Sequence, residues 1–397
     1  MKYQEESLTR FFIAASFCRL LLNTARRFVY PFAPALSRGL GLPITDITSL
    51  IAINQASAFL GIFFGPLSDR FGYRFMMLSG MGMLSAGMLL AGFLPFYVFI
   101  GFGLLLSGLG KSIFDPAIQA FVGQHVPFHR RGAVMGLMEV CWAGSTLIGI
   151  PLIGILIEKA GWRAPFFALG VLGLSGMVLI YKIMLPARPH SDIDKTPGIN
   201  KTTGNRKRQW SAMIRNPAAW SALGFAFFIS AANDNLFVIY GVWLDRSFEL
   251  SLAGIGLGTM VIGISELTGE FMTAGLSDRM GLKQAVLGGL VLSTAGYGLL
   301  PFLNSSLPPA LVGLAIIFMT YEFTIVTFLS ICTEILPEAR ATMMAAFYAA
   351  AGLGRVAGDL SGGLLWVSGG LHAVCTASAL INAAAIFFIL FGLKKFH

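Results

Sequence analysis

An apolar run near the start of the chain, from Phe11 to Phe32, is interrupted by Arg19, Asn23, Arg26, Arg27 and Tyr30. At about 100° per helical residue, Arg19, Asn23, Arg26 and Tyr30 fall within about 60° of one another, with Arg27 beside them. Guanidinium groups on such a stripe can grip carboxylate or phosphate in bidentate fashion. Acids stand inside later apolar runs: Asp115 one turn after Lys111, Glu139, Asp234 between Asn233 and Asn235, Glu266 one turn before Glu270, Glu322 after Tyr321, and Asp359 one turn after Arg355. The opposite-charge pairs can neutralise one another. The two glutamates repel, which invites one of them to take up a proton. Asp234 is the first candidate for a proton carrier, followed by Glu322, the Glu266/Glu270 pair and Glu139. Its competing role is that of a fixed salt-bridge partner of Arg26 or Arg27. The basic stripe favours an anionic or zwitterionic solute and the acids favour a cation, so the solute's charge stays open.

The surroundings of these charges set their meaning. The chain has 397 residues, is 56% hydrophobic and only 12% charged, where a soluble domain has roughly 25%. Apolar runs recur to the end of the chain, so the fold class is all-α and membrane-spanning. A charge near the bilayer centre costs at least ~2.5–3.5 kcal/mol, and such residues face an interior cavity. The polar stripe therefore predicts an aqueous cavity rather than a lipid contact. Cys18, Cys141, Cys332 and Cys375 lie apart in apolar runs and read as small buried hydrophobes. No metal or cofactor site is expected. Neither HExxH, GxSxG nor GxxxxGK[ST] occurs, which argues against an intramembrane enzyme or a nucleotide-driven pump.

Turn residues and charges divide the chain into twelve spans, at 9–36, 45–66, 74–94, 97–122, 131–157, 164–185, 217–243, 252–274, 283–303, 308–335, 341–366 and 371–393. With both termini inside, 19 Lys/Arg fall in cytoplasmic segments, four in outer loops and five within helices. That asymmetry places the chain in the plasma (inner) membrane with cytoplasmic termini. It also accounts for the net charge of +9 without a nucleic-acid partner. The polar stretch 186–216 reads as a linker between six-helix bundles at 1–185 and 217–397.

The halves repeat. GPLSDRFGYR (65–74) realigns with AGLSDRMGLK (274–283) at a shift of 209, and NTARRFVY (23–30) with NDNLFVIY (233–240) at a shift of 210. Asn23 thereby matches Asn233, and Tyr30 matches Tyr240. Parallel six-helix repeats mark one transporter architecture. These motifs, with Asp115-Pro116-Ala117, Pro127-x-x-Arg130-Arg131-Gly132 and Gly161-Trp162-Arg163-Ala164-Pro165-Phe166, resemble the major facilitator superfamily, most nearly its bacterial drug and sugar efflux branch of proton antiporters. The chain departs from the branch pattern at Tyr73, at Leu104 and at Ile150-Pro151-Leu152-Ile153-Gly154. The resemblance implies two pseudo-symmetric six-helix bundles and a central cavity lined by spans 1, 4, 7 and 10, including Tyr240 and Tyr321. It also implies a gating latch of Gly65, Asp69, Arg70, Gly72 and Arg74 with its degenerate copy at Asp278 and Arg279, in which Arg70 or Arg74 reaches Asp115. The expected function is alternating-access transport of a small organic solute by a monomer, as proton-coupled efflux. The alternative is uptake or uniport of an organic anion held by the first-span arginines.

Overall fold

The computed structural model describes residues 2–125, 141–183, 211, 213–336 and 340–392, without the side chains of 2–9, 58–70, 119–120, 123–125, 274–275, 278, 333 and 340–342. Glu139 and the linker core 186–210 lie outside the described residues, as do the side chains of Asp69, Arg70 and Asp278. The described residues are mostly helical, with no strand among them. Its main helices are α1 (Lys2–Arg27), α2 (Ile44–Phe71), α3 (Tyr73–Phe93), α4 (Tyr97–His125), α5 (Cys141–Ala160), α6 (Ala164–Ile183), α7 (Pro217–Phe248), α8 (Leu252–Met272), α9 (Leu282–Leu303) and α10 (Leu307–Ile335). The last helix, Arg340–Gly392, is broken by non-helical Gly369 and Gly370 into α11 (340–368) and α12 (371–392). Helix thus occupies each expected stretch in whole or part. Among the described residues nine helices are long and apolar enough to cross a membrane, with Met343–Gly392 taken as one. α1, which carries four arginines, is not among the nine.

Two expected continuous spans are broken. α1 stops at Arg27, passes through a turn at 28–32 and resumes as the short helix Ala33–Leu40. Pro31 explains this, because it offers no N–H and its ring crowds the preceding turn. In the second half α7 is interrupted at Val238–Ile239, where the Ile239 N–H reaches back only to the Leu236 carbonyl at 3.1 Å. The two breaks fall at the same place in the repeat. They also meet: a Cβ on Gly241 would run into the Pro31 carbonyl, so the backbones of the two equivalent turns cross at van der Waals distance. α5 holds a π-type turn at Ser145–Gly149, just before Pro151; a proline deprives that turn of a regular hydrogen bond.

Helices pack within each half through small residues. Gly80 and Gly87 of α3 lie against Gly110 and Gly103 of α4, close enough that a Cβ at any of the four would strike backbone. Outward-facing Phe102, Val171, Phe271, Val291, Phe302 and Leu380 leave an apolar exterior suited to hydrocarbon. The halves are joined by α2 against the last helix and α5 against α8, which are images of one another in the repeat. One buried apolar cluster runs from α1 through Phe28, Tyr30 and Phe32 into Phe237, Trp243, Ile262 and Phe318. A second, at the other end of the C-terminal half, stays within it and holds Phe225, Phe328, Phe347 and Ile389. The halves are therefore fused on the side of Arg38 and Asp245. There Arg38 Nη1 donates to Asp245 Oδ2 at 2.6 Å, and the Ala253 N–H at the start of α8 donates to Glu158 Oε2 at 3.1 Å.

The two signature loops end in equivalent glycines, Gly72 and Gly281, both at φ 82°. With ψ of 146° and 132°, these conformations are close to glycine-only territory, costing another residue on the order of 1–3 kcal/mol. We expect Gly72→Ala and Gly281→Ala each to lower the thermal unfolding midpoint of the purified protein. Gly82→Ala, which would make only an ordinary contact with Met177, should leave it unchanged or raise it.

Candidate functional site

The intramembrane charges form three linked clusters. The first lies within the N-terminal half. Lys111 Nζ donates to Asp115 Oδ2 and to Asn23 Oδ1, both at 2.6 Å, and Arg19 Nε lies 3.3 Å from Asp115 Oδ1. The i,i+4 spacing on α4 brings lysine and aspartate together, as the sequence allows. Asp115 is thereby committed to two cations of its own half. The expected reach of Arg74 to Asp115 does not occur. Arg74 instead donates to the Tyr181 carbonyl at 2.8 Å and sits 4.7 Å over that ring, because Gly72 starts α3 with its first turn against the end of α6.

The second cluster spans the seam. Arg26 donates through Nε to Gln55 Oε1 at 3.1 Å and through a second guanidinium nitrogen to the same oxygen. The Gln55 amide in turn donates to the Tyr30 hydroxyl. That hydroxyl faces two carboxylates of the other half, Asp234 Oδ1 at 3.5 Å and Asp359 Oδ2 at 3.4 Å. Arg355 Nε lies 3.9 Å from Asp234 Oδ2. Asp359 is fully buried, and its Oδ1 has no hydrogen-bond partner among the described residues. The break in α1 brings Tyr30 here: without the turn at 28–32 its side chain would lie on a continuous helical face one turn beyond Arg26.

The third cluster is a buried ion pair between halves. Arg27 donates to Glu266 through two nitrogens, at 2.7 and 3.1 Å, with side chains 4% and 8% exposed. The guanidinium also lies 4.4 Å from the centre of the Trp142 ring and 5.6 Å from that of Phe237. Phe237 continues into an aromatic group with Tyr30 and Tyr240, at ring separations of 4.4 and 5.2 Å.

Several expectations are corrected by this geometry. Asp234 does not pair with Arg26 or Arg27; Gln55 takes the first and Glu266 the second, and Arg355 is the cation nearest the aspartate. Glu266 is bound to Arg27 rather than forming a like-charge pair with Glu270. Glu270 and Glu322 are partly exposed, and α8 and α10 meet tightly at Gly269 and Glu322. Arg355 and Asp359 are divided between Asp234 and Tyr30. Asn235 belongs to the packing of its own half: it donates to the Val374 carbonyl and Ser378 and accepts from Ser361. Tyr240 exchanges a hydrogen bond of 2.9 Å with Thr259 and is fully buried. Asn233 and Tyr321 are buried beside the second cluster. Of the latch residues, Gly65 lies inside α2, Gly72 forms the turn, and Arg279 is exposed. The residue missed entirely is Gln55. Its signal was present as a polar Asn54-Gln55 step inside the apolar second span, where an amide needs partners.

Breaking a buried bidentate pair by neutralising one member costs about 3–5 kcal/mol, whereas removing both charges is close to neutral. Arg27→Gln and Glu266→Gln should each lower the unfolding midpoint, and the double variant should recover most of the loss. A double variant as unstable as the sum of the singles would show that the two residues act independently rather than as a pair.

A sequence model of the Major Facilitator Superfamily matches residues 15–233 and 223–396. The chain is 25% identical to an uncharacterized MFS-type transporter of Bacillus subtilis, YceJ, over 77% of this chain and 75% of that protein. It is 23% identical to a second, YwfA, over 93% and 88%, and 27% identical to the class C tetracycline resistance protein of Escherichia coli over 60% and 59%. Its fold is similar to the inward-facing, unoccupied structure of a bacterial homolog of the human lysosomal transporter Spinster, with a TM-score of 0.77 at 16% identity over 98% of this chain and 95% of that one. Two matched stretches that together cover nearly the whole sequence, on a fold of paired helical halves around buried charge, place the chain in the Major Facilitator Superfamily, as a multi-pass membrane transporter.

Proposed function

We propose that the chain exports a small organic solute by alternating access, driven by protons entering through the Tyr30 cluster. The observation that carries this reading is one hydroxyl set between two buried carboxylates. Tyr30 has a single proton and can donate to Asp234 or to Asp359, not to both. Its own oxygen already accepts from Gln55, whose carbonyl is held by Arg26. Asp234 keeps Arg355 at 3.9 Å, so Asp359, whose Oδ1 has no partner among the described residues, is left as the poorly compensated charge in a low-dielectric site, a costly arrangement. A proton delivered to that carboxylate supplies the missing donor and removes the repulsion between the two acids.

The position of the cluster links proton occupancy to conformation. Tyr30 stands on α1, Asp234 on α7 and Asp359 on α11, so the hydroxyl bridges the seam that the halves close on the Arg38 side. Losing the proton restores two like charges against one phenol and weakens that seam; gaining it tightens the seam. Two bundles, 1–185 and 217–397, rocking about the 186–216 linker would turn this into alternating access. By the distribution of Lys and Arg, the Arg38 side is extracellular and both termini are cytoplasmic, in a plasma-membrane monomer. The relative named for tetracycline resistance supports a small organic solute. Anion uptake by the first-span arginines is the weaker reading, since Arg27, Arg26 and Arg19 each already face an acid or an amide.

The test uses proteoliposomes loaded with a pH-sensitive dye under an imposed proton gradient, with lipophilic cations, sugars, organic anions and amino acids added in turn. Solute-dependent proton flux is expected for the native chain, with a loss of tenfold or more, on the order of 1.4 kcal/mol, in both Asp234→Asn and Asp359→Asn. Unchanged flux in both variants would remove the cluster from the coupling mechanism.

A further inference from the structure

We propose that the solute is a zwitterion, held by its anionic group at Arg27 and its cationic group at Glu266 once the halves part. This rests on the alternating-access reading above. Among the described residues, the charges inside the spans and away from the span ends are sorted by half. The N-terminal half contributes Arg19, Arg26, Arg27 and Lys111 against Asp115 alone. The C-terminal half contributes five acids, Asp234, Glu266, Glu270, Glu322 and Asp359, against Arg355 alone.

In this structure Arg19 and Lys111 pair with Asp115 and Arg355 lies near Asp234, each within its own half, whereas Arg27 meets Glu266 across the seam with hydrogen bonds of 2.7 and 3.1 Å. Opening on the Arg38 side must pull these two apart and strand a guanidinium on one wall and a carboxylate on the other. Each then has fixed directional demands: two parallel donors on α1, and two acceptor oxygens on α8. An anionic solute answers only the first and a cationic solute only the second, leaving a buried charge uncompensated. A solute with both charges replaces the broken bridge with two new ones. Such a molecule lowers the cost of the open state without an internal counter-ion having to move. Trp142, 4.4 Å from the Arg27 guanidinium, and Phe237 beyond it offer faces for an apolar or aromatic body between the charged ends.

The test compares L-phenylalanine, phenethylamine and 3-phenylpropionate, which share a ring and differ in charge, with glycine betaine as a ring-free zwitterion. Binding to the purified full chain is read as a concentration-dependent rise in unfolding midpoint. The native chain should bind phenylalanine about tenfold more tightly than either singly charged analogue, the discrimination that one lost charge-assisted contact gives. Arg27→Gln should abolish that preference in favour of phenethylamine, and Glu266→Gln in favour of 3-phenylpropionate. The double variant R27Q/E266Q, which keeps no unpaired charge, should lose the zwitterion preference altogether. A native chain that prefers phenethylamine or 3-phenylpropionate, a phenylalanine affinity unchanged in the double variant, or no response to either zwitterion would each overturn the assignment. Proton flux is measured separately. The crossed binding pattern without flux would overturn proton coupling and leave the zwitterion site standing, while flux driven by cations alone would do the reverse.

Discussion

A guanidinium and a carboxylate buried against each other, one from each half of the chain, is the constraint around which this structure is organised. Arg27 and Glu266 are each more than nine-tenths removed from solvent, and neither can be left alone there without a cost comparable to a large part of a domain's net stability. Both halves must therefore present complementary surfaces at that level. The small contacts around the pair follow from this. Thr146 and Gly263 meet beside it, Pro151 and Gly256 about two turns further along α8, and Thr48 and Gly363 on the symmetric seam. Close backbone approach is what lets short polar side chains meet across the seam instead of being separated by bulk.

The same requirement explains the breaks in α1 and α7. An unbroken helix offers one face, and a face that packs against its own bundle cannot also present side chains across a seam. Turning the chain at 28–32 and at 238–239 gives Tyr30 and Phe237 directions that neither helix alone provides. Because the two turns occupy equivalent places in the repeat, each half supplies the other's partner, and Pro31 and Gly241 fit as bulk and gap. Charge then differentiates what symmetry made equal. Arg26 and Arg27 have become Leu236 and Phe237 in the second copy, and the acids Asp234 and Glu266 have no acidic counterpart in the first. The polar layer is consequently asymmetric, and a solute or proton entering it meets a basic wall and an acidic wall.

Most of the architecture was legible in the sequence. Apolar runs of span length, the Lys/Arg asymmetry and the nearly constant repeat offset need only local patterns, and the helices lie where those patterns put them. The list of charged residues was legible for the same reason, since intramembrane charge stands out against an apolar background. Apart from Lys111 with Asp115, one turn apart on one helix, their pairing was not. Asp234 lies near Arg355 rather than Arg27, and Arg74 turns toward Tyr181 rather than Asp115, because pairing depends on where helices break and how far they rotate. Helical periodicity carries neither. Gln55 shows a further limit: an uncharged amide in an apolar span looks minor until its neighbours are known, yet it joins Arg26 to Tyr30. Asn235 shows the converse, a residue in a conspicuous polar triplet that faces its own bundle.

The central claim is that the buried polar layer holds the halves together on the Arg38 side. Spin labels at the exposed positions Pro43 and Ser247, one on each half, would report the separation there by pulsed electron resonance. The account predicts a single short distance for the native chain, and a second, longer population when Glu266→Gln or Tyr30→Phe is introduced. Distance distributions that stay unchanged in both variants would contradict it, and would assign closure to the apolar cluster and the Arg38–Asp245 contact instead.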